Sequence, residues 1–341
     1  MHITLVDDSI PFDGYSASAR PLGGAEKAFA SLPGALARRG HTVVVFNRCR
    51  WSMFIEGAQW ETFEGKKPLL TDALVAFRKP PLLEFVRQAR RRVLWWTAPS
   101  RFLDKKPTRA LLDSHQPLVL LSSESQATGW SAKGLAVGLL PPALRSEFQG
   151  EQTNIPAAPP RAIVTTHPSF GLEWLVDLWI DRIHPAVPEA QLHIHSMGLA
   201  KVAEGGGIEP DLEALAAKVF AAKAQGIEIV RPQGDHLMAQ AYREAAIHLY
   251  PGHGDDATAF TLMESQACGI PAVCRGLGAA AERVENGSTA YVVPDDDAFA
   301  NLTTLLLNDA GLRTSMGRAA AERYRGRTWD AAAEKLEAML K

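Results

Sequence analysis

Short apolar runs alternate with longer amphipathic stretches along this chain, and the alternation predicts an α/β protein. Residues 3–6 form an apolar strand that ends in Asp7-Asp8. A polar loop leads from there to Gly23-Gly24-Ala25-Glu26. Residues 27–39 then put Ala28, Leu32, Ala35 and Leu36 on one helical face, Gly40 stops that helix, and residues 42–46 give the next strand. Parallel strands joined in this way need helices on both faces of the sheet, the doubly wound pattern. Residues 69–77 and 82–92 suggest helical or mixed connections, whereas 93–96 and the run from Leu118 read as buried strands. The Gln-, Pro- and Ala-rich stretch 149–160 has linker composition.

After it the alternation restarts. Strands are predicted at 161–165, 191–195, 227–230, 247–250 and 290–293. Helices are predicted at 172–183, 211–225 and 237–246, with two more at 298–308 and 329–340. The 172–183 helix carries Leu172, Leu175, Val176, Trp179 and Ile183 at helical spacing. Two α/β domains follow, residues 1–150 and 161–325, joined by a linker at 151–160.

Composition adds limits. At 341 residues the chain exceeds a comfortable single core, and 46% hydrophobic with 22% charged residues is ordinary for a soluble globular protein. With no run of 18 apolar residues, neither a membrane span nor a signal peptide is expected. Cys49, Cys268 and Cys274 are odd in number and lack paired metal spacing, so they read as reduced thiols of a cytoplasmic protein.

Charge is uneven. Residues 1–150 hold 20 Lys+Arg against 13 Asp+Glu, net +7; the remaining 16 against 25 give −9, and the two sum to the whole-chain −2. Arg87, Arg90, Arg91, Arg92, Lys105 and Lys106 suit either an anionic surface or acceptor, or a plain solvated face. Trp95, Trp96 and Trp130 suit an acceptor pocket or, more simply, a core. The Asp295-Asp296-Asp297 triplet reads better as a helix N-cap than as a metal site.

The most informative stretch runs from Tyr250 to Val273: strand end, Gly/Asp-rich loop, short helix, then Gly269 and Pro271 before another strand. Asp256 and Glu264 bracket that helix start. Carboxylates accept hydrogen bonds from sugar hydroxyls, and free helix amides favour phosphate, so a nucleotide-sugar would satisfy the whole segment; a corner with solvated acids is the bland alternative. A nicotinamide fold is disfavoured, because no G-x-G-x-x-G follows the first strand and Asn47-Arg48 stands where a ribose-binding acid belongs.

These residues resemble the retaining GT-B glycosyltransferases of group 1 (family 4) over nearly the whole chain. The likeness rests on Gly23-Gly24-Ala25-Glu26, on Pro168-Ser169-Phe170-Gly171-Leu172-Glu173, and on Asp256 and Glu264 with seven residues between them. Glu264-Ser265-Gln266-Ala267-Cys268-Gly269-Ile270-Pro271 is its most specific piece, and 276–282, Asn286-Gly287 and Trp329 continue it. The resemblance implies two Rossmann-like domains facing a cleft, with a last helix, 326–341, packing back across both. It also implies metal-independent, cofactor-free transfer of a sugar with retention. The donor is a nucleotide-diphosphate sugar, and the acceptor a glycan, a lipid-linked or a protein-linked group. Nucleic acid is not expected as a partner; peripheral contact with an anionic membrane face is.

By the same resemblance Glu264 holds the ribose, Asp256 meets donor-sugar hydroxyls, the amides of Ala259, Phe260, Thr261 and Leu262 receive the diphosphate, and Gly23 and Gly24 allow close approach. The chain departs from the family at Thr165 and Phe170, where cations aimed at the diphosphate are usual, and at Thr97-Ala98, where a histidine is usual. Arg20, Lys27, His167, Arg231 and Arg275 are candidate replacements. Those departures keep a second reading open, a degenerate scaffold that binds nucleotide-sugar, glycan or partners without efficient catalysis.

Overall fold

A computed structural model describes residues 1–150 and 155–341; positions 151–154 of the expected linker lie outside the described residues. The chain divides into two compact units, Met1–Arg145 with Gly326–Lys341, and Ser146–Arg325.

The first unit is built on strands β1 (His2–Val6), β2 (Thr42–Asn47), β3 (Met53–Ile55), β4 (Ala58–Thr62), β5 (Leu70–Phe77), β6 (Gln88–Trp95), β7 (Leu118–Leu121) and β8 (Val137–Leu139). They lie in the order β3-β4-β2-β1-β5-β6-β7-β8, parallel except for the β3–β4 hairpin. The chain therefore builds outward from β1 on one side, then restarts with β5 on the other. One face is filled by Val6, Phe46, Leu74, Leu94 and Val119. An aromatic chain runs through Phe12, Phe29, Phe77 and Trp95, with ring centroids 5.8, 4.9 and 5.0 Å apart in turn.

The helix Gly24–Arg38 buries Phe29, Leu32 and Leu36, and the last helix, Trp329–Leu340, joins this unit. Arg38 meets Asp330 at 2.9 Å and Arg39 meets Glu337 at 2.8 Å. These exposed pairs align the two helices, while burial of Trp329, Ala333 and Leu336 supplies most of the attachment energy.

Residues 69–77 and 82–92 were expected to be helical or mixed, and here the structure corrects the expectation. The first is β5. The second is a single turn at Pro80–Glu84 followed by β6, which starts five residues before the apolar run. The misleading signal is Arg90-Arg91-Arg92, a polar strand start beyond the covered part of the sheet. Arg92 lies across the strand entry, donating to the carbonyls of Leu83, Ala89 and Arg87 at 3.0, 3.2 and 3.2 Å. Trp95 and Trp96 are core residues, and Trp130 packs against that core.

The second unit has strands β9 (Arg161–Val164), β10 (Gln191–His195), β11 (Ile227–Val230), β12 (Ile247–Tyr250), β13 (Ala272–Arg275) and β14 (Ala290–Val293), all parallel, in the order β11-β10-β9-β12-β13-β14. That is the strand order of a doubly wound dinucleotide-type fold, with its topological switch between β9 and β12. The core is largely aliphatic, with Leu172, Val176, Leu192, Ile194 and Leu249 packed around the rings of Trp179 and Phe299. Asp295 accepts the Ala298 amide at 2.8 Å and starts the helix Asp296–Asn308, so it is the N-cap expected from the sequence. A further helix, Ala310–Arg323, carries no apolar stripe that periodicity could detect; it buries Met316, Gly317 and Ala320.

Candidate functional site

At a topological switch the loops leaving two neighbouring strands part to opposite sides and open a crevice at the strands' carboxyl ends. In the second unit these are the segments after β9, residues 165–171, and after β12, residues 251–259. Gly171 sits at φ +85° as the N-cap of the helix Leu172–Leu178. A Cβ there would come within 2.8 Å of the Arg275 guanidinium and 3.0 Å of Pro251. Arg275 Nε donates to the Pro251 carbonyl at 2.5 Å, Nη2 donates to Gly252 at 3.3 Å, and the guanidinium lies 4.2 Å from the Trp174 ring centre. An arginine has five N–H donors, so these two bonds leave others for a ligand.

The resemblance puts a cation at position 170. Phe170 instead stacks on His253, centroids 4.5 Å apart and planes within 8°. The ring of His167 lies 6.1 Å from Phe170, edge to face, with its Nδ1 2.7 Å from the Ser169 hydroxyl. The mouth of the site is thus walled by aromatic surface.

Asp256 organises the loop. Its Oδ1 accepts the amides of Thr258 and Ala259 at 3.1 and 2.8 Å and the Thr258 hydroxyl at 3.3 Å, while Oδ2 accepts the Tyr250 hydroxyl. Four donors match the capacity of one carboxylate. This turn sets Ala259 at φ +44° and aims the first amides of the helix Phe260–Ala267 outward from the loop. The Gly276–Gly278 segment closes over it: the Ala279 amide donates to the Asp256 carbonyl at 2.8 Å, and a Cβ on Gly278, at φ +57°, would fall 2.4 Å from that same carbonyl oxygen.

Glu264 lies one turn further along the helix and exposes only 1% of its surface. Tyr242 approaches its Oε2 at 3.5 Å and Thr165 Oγ1 at 3.3 Å; Thr165 meets His248 Nε2 at 3.2 Å, and His248 Nδ1 meets Ser265 at 2.7 Å. Burial holds the His248 imidazole down at about 3 and its neighbour His195 at about 4, so both are neutral near pH 7. Burial also drives the Tyr242 hydroxyl well above its ordinary range.

The structure therefore brings Asp256, Ala259, Phe260, Thr261, Leu262, Glu264 and Arg275 to one corner of the second sheet, with His167 on the neighbouring loop. Arg231 lies apart from that corner: it follows edge strand β11, which β10 and β9 separate from β12, and it pairs with Glu204. Gly23, Gly24, Lys27 and Arg20 belong to the first unit. Gly23 caps the helix there, Lys27 is buried in its first turn, and Arg20 donates to the Pro11 carbonyl.

At the first unit's own switch, between β1 and β5, Arg78 pairs with Glu26 from the glycine-led helix. Asp7 is fully buried there. Its Oδ2 takes the Ser9 amide and hydroxyl at 3.2 and 2.5 Å, its Oδ1 has no partner among the described residues, and burial raises its carboxyl above the ordinary range. Thr165, Tyr242, His248, Asp7 and Arg78 were not singled out as ligand groups from sequence. Their pattern there is that of strand ends and a helix face, and only the fold makes neighbours of them.

The class defined by two such doubly wound units is the GT-B fold. Sucrose-phosphate synthase from Thermosynechococcus elongatus superimposes with a TM-score of 0.76 at 16% identity, covering 99% of this chain and 98% of that one. Anabaena HepE, solved in complex with UDP and glucose, gives 0.70 at 14% identity over 100% and 99%. WaaG, a glycosyltransferase involved in lipopolysaccharide biosynthesis, gives 0.69 at 13% over 99% of both. Residues 163–309, which lie within the second unit, match the family of group 1 glycosyl transferases. A D-inositol 3-phosphate glycosyltransferase from Kribbella flavida is 32% identical over 107 residues, 31% of this chain and 25% of that protein. The relative from Corynebacterium diphtheriae is 31% identical over 118 residues, 34% and 27% of the two chains. The match thus spans about a quarter of these relatives' length.

Proposed function

We propose that this protein is a glycosyltransferase that takes its sugar from a nucleotide-diphosphate donor bound at the switch of the second unit. One observation carries the reading most: the segment matching the group 1 family encloses the whole corner formed by Gly171, the Asp256 loop, the Phe260–Ala267 helix and Glu264.

In this reading Glu264 accepts from the ribose hydroxyls, and the amides at Phe260 to Leu262 receive the diphosphate. Arg275 supplies the positive charge that Thr165 and Phe170 do not. Asp256 chiefly holds the amides in position; it meets a donor-sugar hydroxyl only by releasing Tyr250 or Thr258. As the glycosidic bond to the donor breaks, negative charge grows on the diphosphate, and preorganised amides with one guanidinium stabilise it without reorganisation. Transfer proceeds with retention and without a metal, to a glycan, lipid-linked or protein-linked acceptor. The basic residues of the first 150 positions favour an acidic acceptor or an anionic membrane face.

Thermal denaturation with UDP, GDP or ADP, each with its sugar conjugates, tests the donor site. At about 100 times Kd a ligand adds roughly 2.7 kcal/mol of stability, which raises Tm by several degrees. Glu264→Ala should abolish the shift while the fold survives. Silence from every nucleotide with wild-type protein would defeat the reading, and an unaltered shift in the variant would move the site elsewhere.

A further inference from the structure

We infer that Ser265, His248, Thr165 and Tyr242 form one proton-ordered chain of hydrogen bonds ending on Glu264, and that Tyr242 is thereby the positioning residue for this carboxylate. The assignment to a donor-binding function rests on the reading above; the chain itself does not.

The links are His248 Nδ1 to Ser265 at 2.7 Å, Nε2 to Thr165 at 3.2 Å, Tyr242 to Thr165 at 3.3 Å and Tyr242 to Glu264 at 3.5 Å, with Ser265 also 3.0 Å from the Leu262 carbonyl. Ser265 follows Glu264 in the same helix, so the chain closes into a ring. Each hydroxyl has one proton, and the neutral imidazole has one N–H. Two directions use all four protons along the chain and make every link among Ser265, His248, Thr165 and Tyr242, leaving only an end contact unmatched.

In one, Tyr242 gives to Thr165, Thr165 to Nε2, Nδ1–H to Ser265, and Ser265 to Leu262. This leaves the Glu264 carboxylate facing a phenolic lone pair. In the other, Ser265 gives to Nδ1, Nε2–H to Thr165, Thr165 to Tyr242, and Tyr242 to Glu264. Leu262 gives up little, because its carbonyl lies inside a helix where the amide four residues on serves it. The carboxylate charge selects the second direction, since a hydrogen bond to an ionised acceptor outweighs one between neutral groups. His248 is then the Nε2–H tautomer. The Tyr242 link is the longest of the set, as a donor with no ligand drawing the carboxylate into place would be.

Two-bond proton–nitrogen spectra of the ligand-free full chain report histidine tautomers; the His248 signal is the one lost in His248→Gln. Wild-type protein should show Nε2–H. Tyr242→Phe keeps the ring that packs 5.8 Å from the His248 imidazole and removes only the hydroxyl, yet it cuts the chain from Glu264, so Thr165 turns onto Nε2 and the proton moves to Nδ1. Nδ1–H in wild-type protein, or no change in the variant, overturns the inference. Should Tyr242→Phe fail to fold, Glu264→Ala must produce the same flip.

A second readout separates this idea from the donor reading. Tyr242→Phe should weaken whichever of UDP, GDP or ADP binds wild-type protein by about tenfold or more, while Thr165→Ser, which keeps the hydroxyl, binds like wild type. A flip with unchanged affinity defeats the positioning function. Absence of any nucleotide binding to wild-type protein defeats the donor reading alone, because the tautomer still decides the chain.

Discussion

Both units place their most constrained side chains at a topological switch, β1 against β5 in the first and β9 against β12 in the second, but with opposite electrostatics. The first is an ionic mouth. Arg78 pairs with Glu26, Lys79 and Arg48 both pair with Asp8, and Asp7 is buried beneath them. The second surrounds its charges with neutral groups: an aromatic stack, two uncharged imidazoles, hydrogen bonds that Asp256 accepts from tyrosine, threonine and backbone amides, and hydrogen bonds that Arg275 donates to backbone carbonyls. A site whose charges are held by neutral partners keeps them for a ligand, whereas cations already matched by their own carboxylates do not. On the proposed reading the difference assigns the donor's charge to the second switch, although the first 150 residues are the basic part of the chain.

The largest test of the contrast is acid. His195 and His248 have folded values depressed by burial from 6.5 to about 4 and about 3. The unfolded chain takes these protons near pH 6.5 and the folded chain does not, so the stability they contribute is complete above 6.5 and is lost as pH falls toward 4 and 3. At pH 5 each should have lost about 2 kcal/mol, about 4 together. Asp7 has the opposite sign: its folded value is raised, so its contribution is present below the ordinary carboxylate range and fades as pH rises. Amide hydrogen exchange, converted to opening free energies at pH 7 and 5, should show Val164 and Leu249 losing far more protection than Leu5 and Val75. Equal losses in the two sheets would erase the comparison.

Glycine substitutions come next. Gly278→Ala combines φ +57° with contacts of 2.4 and 2.5 Å to the carbonyls of Asp256 and His253, neither of which can swing away. It should cost about 3 kcal/mol by urea denaturation. At Gly171 the nearest atom, at 2.8 Å, is the end of the Arg275 side chain, which can move. Gly171→Ala should therefore cost about 1–2 kcal/mol, chiefly backbone strain, and should weaken nucleotide binding more than its stability loss explains. A fully stable Gly278→Ala would mean that the loop closure is looser than the distances require.

How much of this was legible in sequence follows physical lines. The strands and helices of the second unit were readable because its parallel strands are short runs built around Ala, Ile, Leu and Val between helices with periodic stripes, as at Leu172, Leu175 and Val176. The first unit hid more: the β3–β4 hairpin is only ten positions of mixed polarity, and the first half of β6 carries three arginines. The Asp256-to-Glu264 segment stood out as a candidate ligand loop through local chemistry. The partners that complete it did not, since Tyr242, Thr165 and His248 lie on three separate elements and ordinary packing explains each in isolation. Arg231 shows the same limit: a cation at a strand end says nothing about which strand is its neighbour, and only the fold shows two strands between β11 and β12.

The smallest effect isolates one residue of the ionic mouth. Arg78 sits at φ +63°, a left-handed conformation that a side chain disfavours by about 1 kcal/mol or more, and it is held there by its pair with Glu26. Arg78 is about one-third exposed, so solvent screening keeps that pair to about 1 kcal/mol or less. Arg78→Ala loses the pair and keeps the strain. Arg78→Gly loses the pair and relieves the strain, against a greater entropy of the unfolded chain. Alanine should thus destabilise by about 1 kcal/mol and glycine by a few tenths, a difference that paired urea midpoints can resolve. Glycine less stable than alanine would show that the backbone at the end of β5 is unstrained and that Arg78 is placed by the turn itself. In that event the first switch would hold its cation by geometry, as the second holds Arg275, and the contrast between the two would narrow to the charge of their partners.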